Sequence, residues 1–333
     1  MKLSQFDYHL PKELIAQEPA SPRDSSRLMV VKGKAIEHKI FKDILSYLEK
    51  DDVLVLNETK VEPVKLIGRK VTGSAAELLV SKKIKDRTYE CQIKTNKIKP
   101  GTEFIFNKDV KGKVVGGEDG VFEVMFNRDD MEAVLQDIGE MPLPPYIKKK
   151  ATREEYQTVF AKTSGSIAAP TAGFHFTPEL IKKIEDKGVK IAKVLLHVSY
   201  GTFLPVKTEE IEEHKMHKEW FEITNEAADI INNRQKRLII VGTTSLRALE
   251  SAADDLGIVK PVKGDTEIFI YPGYEFKLKP EMMITNFHLP KSTLIMLISA
   301  LVGLDNVMDA YKVAVENKYR FYSFGDAMLI ITG

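Results

Sequence analysis

Arg237-Leu-Ile-Ile-Val241, followed at once by Gly242-Thr-Thr-Ser245, decides the class of fold. Four consecutive branched aliphatic residues without alternation make a strand buried on both faces, as in a parallel sheet covered by helices. Glycine and three hydroxyl residues then open a helix, which Gly257 is expected to end. Outward from this unit the same texture recurs. Thr177-Pro178-Glu179 is a helix start, with threonine as cap and proline in the first turn, and Gly188 is its stop. The apolar run Val189–Val198 follows as a further strand. Near the N-terminus, Arg27–Val31 and Asp52–Leu56 read as strands and Phe41–Leu48 as a short helix. Strands alternating with helices from about Ala151 onward argue for an α/β sheet domain.

Between residues 61 and 127 the pattern changes. Six short β-rich runs, Val64–Ile67, Ala76–Val80, Thr88–Ile93, Glu103–Phe106, Gly112–Val115 and Val121–Phe126, are separated by Gly, Asn, Asp and Lys clusters. Closely spaced short strands of this kind predict a small barrel or sandwich. The expected organisation is a discontinuous α/β domain (1–60 and 128–333) interrupted by a β-rich insertion (61–127), with the proline-rich Met141–Tyr146 as a stiff connector.

Composition restricts the function. With 333 residues the chain suits two domains. Its one cysteine, Cys91, excludes an internal disulfide and a thiolate metal cluster, and a reducing cytoplasm is the expected location. The longest apolar stretch, Leu294–Leu304, is interrupted by Ser299 and Gly303 and is too short for a bilayer span, so it reads as a buried helix. The net charge of +1 conceals an uneven distribution. Lys60–Lys113 holds 14 basic against 6 acidic residues, a local +8. Such a segment is either a solvated lysine surface or a footprint for a polyanion such as RNA.

Candidate chemistry gathers where strands end and helices begin, because free backbone N–H groups are available there. His175 lies in Pro170-Thr-Ala-Gly-Phe-His-Phe-Thr177, His197 ends an apolar strand, and His288 sits in Asn286-Phe-His-Leu-Pro290. A histidine among apolar residues is also a common packed core residue; three such loops together favour one shared site. Gly242-Thr-Thr-Ser245 is a cradle for a carboxylate or phosphate, without the spacing of a Walker or dinucleotide motif. Gly264-Asp-Thr-Glu267 before Tyr271 offers Asp265 and Glu267 to a ribose diol and Tyr271 to a base. Tyr319–Asp326 mixes aromatics with Arg320 and Asp326, a composition suited to base stacking. His214-Lys-Met-His217 places two imidazoles on one face if helical, but no HExxH spacing exists and no metal is expected.

Several long strings, in order along nearly the whole chain, carry a resemblance. They include Asp7-Tyr-His-Leu-Pro11, Arg23-Asp-Ser-Ser-Arg27, Asn57-Glu-Thr-Lys-Val61, Pro142-Leu-Pro-Pro-Tyr-Ile147, Ala168–Thr177, Val241–Ser245, Ile284–Ser292 and Tyr319–Met328. Together they resemble the S-adenosylmethionine:tRNA ribosyltransferase-isomerases of queuosine biosynthesis. That resemblance implies a mixed α/β main domain with an inserted small β-barrel. It implies transfer and isomerisation of the ribosyl part of S-adenosylmethionine onto 7-aminomethyl-7-deazaguanine at the tRNA wobble position, giving epoxyqueuosine with loss of adenine and methionine. No cofactor beyond the consumed S-adenosylmethionine, no membrane and no obligate protein partner is expected.

From the chemistry this implies, His175 or His197 is assigned as the base at C5′, and His288 or Asp326 handles protons on adenine or the amine. Thr243, Thr244 and Ser245 are assigned to the methionine carboxylate, and Phe174, Tyr271 and Phe321 to base stacking. Thr171, Gly173, Gly201, Thr202, Asp265, Glu267, Asn286 and Arg320 complete the expected substrate-binding set. Lys82, Lys83, Lys85, Arg87, Lys148, Lys149 and Lys150 are the expected tRNA phosphate contacts.

Overall fold

The computed structural model describes residues 1–118, 120–199 and 206–332. The chain divides into two units, residues 1–60 with 144 onward, and Val61–Leu143.

The first unit is built on a nine-stranded sheet. In spatial order its strands are Val262–Thr266, Glu219–Ile223, Lys190–Leu196, Val53–Asn57, Leu238–Val241, Met282–Asn286, Ala327–Ile331, Arg27–Lys32 and Ala35–Ile40. Four central strands, Lys190–Leu196 to Met282–Asn286, run parallel, and the pairs outside them are antiparallel except Arg27–Lys32 on Ala327–Ile331. Every residue of Val53–Asn57, Leu238–Val241 and Met282–Asn286 is buried, as expected of strands covered on both faces. Alternate side chains go to opposite layers. Val53, Val55, Leu238 and Ile240 meet the helices Asn225–Asn232, Thr243–Ala252, Thr293–Val302 and Leu304–Glu316. Leu54, Leu56, Ile239 and Val241 meet the helix Pro178–Asp186.

That last helix shows how local sequence positions an element. The Thr177 hydroxyl accepts from the Leu180 N–H at 3.1 Å, a cap worth about 1 kcal/mol. Leu180 and Ile184, four apart, enter the core, each contributing roughly 1.5–3 kcal/mol. The helix at Leu294 is likewise buried, spanning Thr293–Val302 and ending at Gly303 with φ 89°. No single helix among the described residues is long and apolar enough to cross a membrane. The helix after Gly242 stops at Ala252, five residues before Gly257.

The second unit is a closed antiparallel barrel of six strands, Lys65–Lys70, Ala75–Lys85, Thr88–Lys94, Glu103–Phe106, Lys111–Glu118 and Val121–Phe126. Leu66, Leu78, Val80, Cys91, Phe104, Phe106, Val124 and Phe126 fill its interior. The expected end of the insertion at residue 127 is corrected to Leu143. The helix Met131–Ile138, unread in the sequence, buries Met131 and Val134 in the barrel core and so belongs to it. Backbone bonds in both directions between Lys65 and Glu140 hold entry and exit of the unit together.

Candidate active site

From Val53–Asn57 the chain continues to one neighbour, Lys190–Leu196, and later returns to the other side as Leu238–Val241. Ligands of α/β sheets bind at the carboxyl ends of strands around such a reversal. A cleft with a cavity volume of about 90 Å³ lies at this edge. Its walls come from Val198, Gly242–Thr244 and Thr285–Leu289 at these strand ends, together with Ala168–Ala172, Tyr322–Ser323 before the strand Ala327–Ile331, and Tyr146.

Gly242 has φ 87° and ψ 149°, a conformation that essentially only glycine adopts. No side chain caps the helix it introduces, so the first N–H groups of Thr243–Ala252 and the helix dipole favour an anion beside Thr243 and Thr244. Thr244 Oγ1 accepts from Asn57 Nδ2 at 3.2 Å. Ser245 does not join them. Its hydroxyl donates back to the Val241 carbonyl at 2.7 Å and the residue is fully buried, which removes it from the expected carboxylate set.

The three histidines have different environments. His175 is buried with both ring nitrogens engaged. Asn286 Nδ2 donates to Nε2 at 3.1 Å, which places the proton on Nδ1, donated to Ser26 Oγ at 2.8 Å. Phe41 packs on the ring, and burial, reinforced by the Arg320 and Arg23 charges, lowers its pKa to about 3. It is a neutral structural ring behind the cleft wall, with no free nitrogen to take a proton from a substrate. The assignment of His175 as a base is corrected on that ground. What it does is hold Asn286, whose Oδ1 accepts from Thr171 Oγ1 at 3.0 Å; both residues line the cleft.

His288 lines the cleft directly. Its Nε2 is 2.9 Å from Thr285 Oγ1, its N–H donates to Tyr311, and its carbonyl accepts from Tyr8. Burial lowers its pKa to about 3, so it is neutral at physiological pH.

His197 is half-buried, and burial holds its pKa below the usual histidine value. Nδ1 is 2.8 Å from Thr59 Oγ1, and the ring stacks on Trp220 with centroids 5.2 Å apart. Nε2 has no hydrogen-bond partner among the described residues. The cleft is close: Val198 lines it, and Asn57 joins Thr244 to the Thr59 N–H, which donates to Asn57 Oδ1 at 3.1 Å.

Comparison with known proteins adds to this geometry. The model of a family described as "Queuosine biosynthesis protein" matches residues 3–330. A Thermotoga maritima protein called S-adenosylmethionine:tRNA ribosyltransferase-isomerase is 50% identical, the match spanning 99% of this chain and 100% of the relative. One of the same name from Thermoanaerobacter sp. is 52% identical over the same shares. The chain belongs to the S-adenosylmethionine:tRNA ribosyltransferase-isomerase family. A crystal structure of an S-adenosylmethionine tRNA ribosyltransferase from Thermotoga maritima superposes with a TM-score of 0.56 and 38% identity, covering 98% of this chain and 100% of the other. The chain is therefore an enzyme, with a mixed α/β sheet and inserted barrel as its family fold.

Within this family member the other expected residues fall into three groups. Some are structural. Asp326 is buried and takes Arg320 Nη2 at 3.0 Å, the Arg320 N–H at 2.8 Å and the Arg27 N–H at 3.1 Å. These partners fill its oxygens, so Asp326 and Arg320 brace the last loop, and the acid–base assignment of Asp326 is corrected. Phe321 packs against Tyr8, Phe287 and Tyr311, and Phe174 against Phe324 and Tyr156; both are buried core, which corrects their assignment as base-stackers. Gly173 makes room for Phe160 and Thr158, since a Cβ there would lie 2.6 Å from Phe160.

A second group lies away from the cleft walls. Asp265, opposite Trp220, and Glu267 are exposed on the outer strand Val262–Thr266 and just beyond it, and Tyr271 packs on Phe269. His214 and His217 follow a single 3-10 turn, Ile211–Glu213, in extended chain and not on one helix face. No group of three or more His, Cys, Asp or Glu among the described residues is placed to hold a metal ion. Gly201 and Thr202 lie outside the described residues.

The third group is basic. Lys82, Lys83 and Lys85 are exposed on the barrel strand Ala75–Lys85, without ion-pair partners among the described residues. Arg87 is paired with Asp129 at 3.3 Å and Lys149 with Glu18 at 2.6 Å. Lys148 Nζ donates to the Pro145 carbonyl at 3.1 Å, and Lys150 is exposed.

Residues not assigned individually from the sequence also meet here. Tyr146 and Tyr322 pack at 4.6 Å on the cleft wall, with Tyr146 Oη 2.8 Å from Ser323 Oγ. Tyr322 has φ 71°, a strained value for an aromatic residue of the kind concentrated at functional sites. Asn57, a lone amide closing the apolar run Val53–Leu56, is the one such residue whose sequence position could have signalled it.

Proposed function

We propose that this enzyme transfers the ribosyl part of S-adenosylmethionine to the amine of 7-aminomethyl-7-deazaguanine in the anticodon of tRNA and rearranges it to an epoxycyclopentanediol. Adenine leaves from C1′ and methionine from C5′. The observation that carries the reading is the cleft itself. It places an uncapped helix start, a neutral histidine and a tyrosine pair together at the reversal point of a sheet belonging to a family of this name.

The reaction sets three physical demands. The methionine carboxylate needs fixed donors, and the N–H groups beginning at Thr243 provide them. The C5′ hydrogens, acidified by the sulfonium, need a base that is neutral near pH 7. His197 meets this with Nε2 unengaged among the described residues and a lowered pKa. Departing adenine needs a donor at a ring nitrogen. His288 meets this when Thr285 donates to its Nε2, because the ring proton then sits on Nδ1. Tyr146 and Tyr322 supply the aromatic surface for a base. The exposed Lys82, Lys83 and Lys85 supply positive charge for tRNA phosphates. The activity resides in the cytoplasm with its tRNA substrate, and it consumes S-adenosylmethionine without a further cofactor.

The test is adenine release from S-adenosylmethionine with tRNA carrying the aminomethyl base and with tRNA lacking it. Adenine formed only with the former, and no methylated RNA, is the expected result. Equal release with both tRNAs, or none with either, refutes the proposal.

A further inference from the structure

We propose that Thr59 and Gly165 are positioning residues that hold the His197 imidazole with its lone pair on Nε2 and that edge of the ring open. The inference rests on the reading of His197 as the C5′ base and adds what makes it one. In a neutral imidazole only one nitrogen accepts a proton, and the hydrogen bond at the other decides which. Thr59 Oγ1 lies 2.8 Å from Nδ1, and when it accepts the Nδ1 proton, Nε2 is the basic atom. The hydroxyl is itself held rigidly. Thr59 is fully buried, and its N–H donates to Asn57 Oδ1, while the Asn57 amide is bonded to both the N–H and the carbonyl of Leu196, the residue before His197.

Two residues pack against the ring. Trp220 stacks on it at an interplanar angle of 20°. Gly165 lies over its Nε2 end: a Cβ there would lie 2.7, 2.9 and 3.0 Å from Nε2, Cε1 and Cδ2. Nearly equal distances to three ring atoms place that carbon above the plane and not beyond the Nε2 edge. Any side chain at residue 165 would therefore push the ring aside, and the φ of 140° independently favours glycine. A packed core histidine has both nitrogens occupied, as His175 does. His197 is instead held at Nδ1 and packed by Trp220 and Gly165, with Nε2 unengaged among the described residues.

The test uses the full-length enzyme with Thr59→Val, which removes the hydroxyl at nearly constant volume, Thr59→Ser, which restores it, Gly165→Ala and His197→Gln. Nitrogen-15 shifts of the His197 ring report its tautomer directly. Fluorescence of Trp220, the only tryptophan in the chain, reports stacking of the ring. Expected are a proton on Nδ1 in the parent, its redistribution toward Nε2 in Thr59→Val, and a kcat lower by about 10- to 100-fold, the range seen when a metal-ligating histidine loses the partner that orients it. KM for S-adenosylmethionine should stay nearly unchanged, and Thr59→Ser should recover most of the rate. Gly165→Ala should change the Trp220 emission and lose turnover while remaining folded. A parent ring protonated on Nε2, or parent-like kcat in Thr59→Val while His197→Gln is inactive, overturns the positioning role and leaves His197 as the base. Full turnover in His197→Gln removes the base itself, and the inference with it.

Discussion

Replacing His175 by Gln isolates the contribution of one buried neutral ring to stability in acid. In the unfolded chain this histidine protonates near its ordinary pKa of about 6.5. In the folded protein burial and the cations Arg320 and Arg23 lower it to about 3. Between those values the unfolded state binds a proton that the folded state refuses. The stabilisation is therefore complete above pH 6.5 and is lost as pH falls toward 3, by about 1.4 kcal/mol per pH unit. From pH 7 to pH 5 the loss is about 2 kcal/mol for this residue, against a total stability of roughly 5–15 kcal/mol for a domain. His288, also lowered to about 3, contributes a similar amount. Urea unfolding followed by Trp220 fluorescence at the two pH values measures the loss in the unit that contains both rings. His175→Gln should be less stable at pH 7, because Ser26 and Asn286 lose their partner. Its further loss on going to pH 5 should nevertheless be smaller than that of the parent by about 2 kcal/mol. An equal loss in parent and variant would refute the claim that His175 is held neutral.

Three other outcomes follow from particular side chains. Arg247→Met leaves the buried Glu219 carboxylate without its cation and should destabilise by about 3–5 kcal/mol, with most of the loss recovered when Glu219→Leu is added; thermal unfolding measures both. Gly242→Ala meets no atom closer than 3.6 Å, so its cost is conformational, about 1–3 kcal/mol. Because it displaces the helix start at the cleft, KM for S-adenosylmethionine should rise in the same variant. Reversing Lys82, Lys83 and Lys85 to Glu should weaken tRNA binding and flatten its salt dependence, by about 0.7 to 0.9 in log–log slope for each phosphate no longer neutralised, while adenine release at saturating tRNA persists.

Much of the fold was legible because its signals are local. The six barrel strands sit where β-rich runs alternate with Gly, Asn and Lys, and Thr177-Pro178 marks a helix start by capping chemistry alone. The helix Met131–Ile138 carries the helical spacing Met131, Val134, Leu135, Ile138, so it was legible in the sequence; its shortness after a charged stretch hid it, and only the barrel it plugs makes it a core element. At the site, Gly242-Thr-Thr after the strand lines the cleft, yet no pattern revealed that the Ser245 hydroxyl turns back to Val241. The histidines show the limit most clearly. His175 and His197 have similar apolar neighbours in sequence, and their difference comes from Ser26 and Asn286 on one ring and Thr59 on the other, all more than 100 residues away.

The position of Ala327–Ile331 in the sheet, between Met282–Asn286 and Arg27–Lys32, has a consequence for synthesis of the protein. The barrel is one continuous stretch of chain, complete once Leu143 has left the ribosome, and can fold while translation continues. The unit that holds the cleft cannot, since strands made at the start wait for a central partner made some 300 residues later. Until Ala327–Ile331 emerges, Arg27–Lys32 and Met282–Asn286 each present an open edge, and Tyr322 and Ser323 are missing from the cleft. A nascent chain is therefore exposed to mispairing at the same two strands, and the cleft is complete only once Ala327–Ile331 joins the sheet.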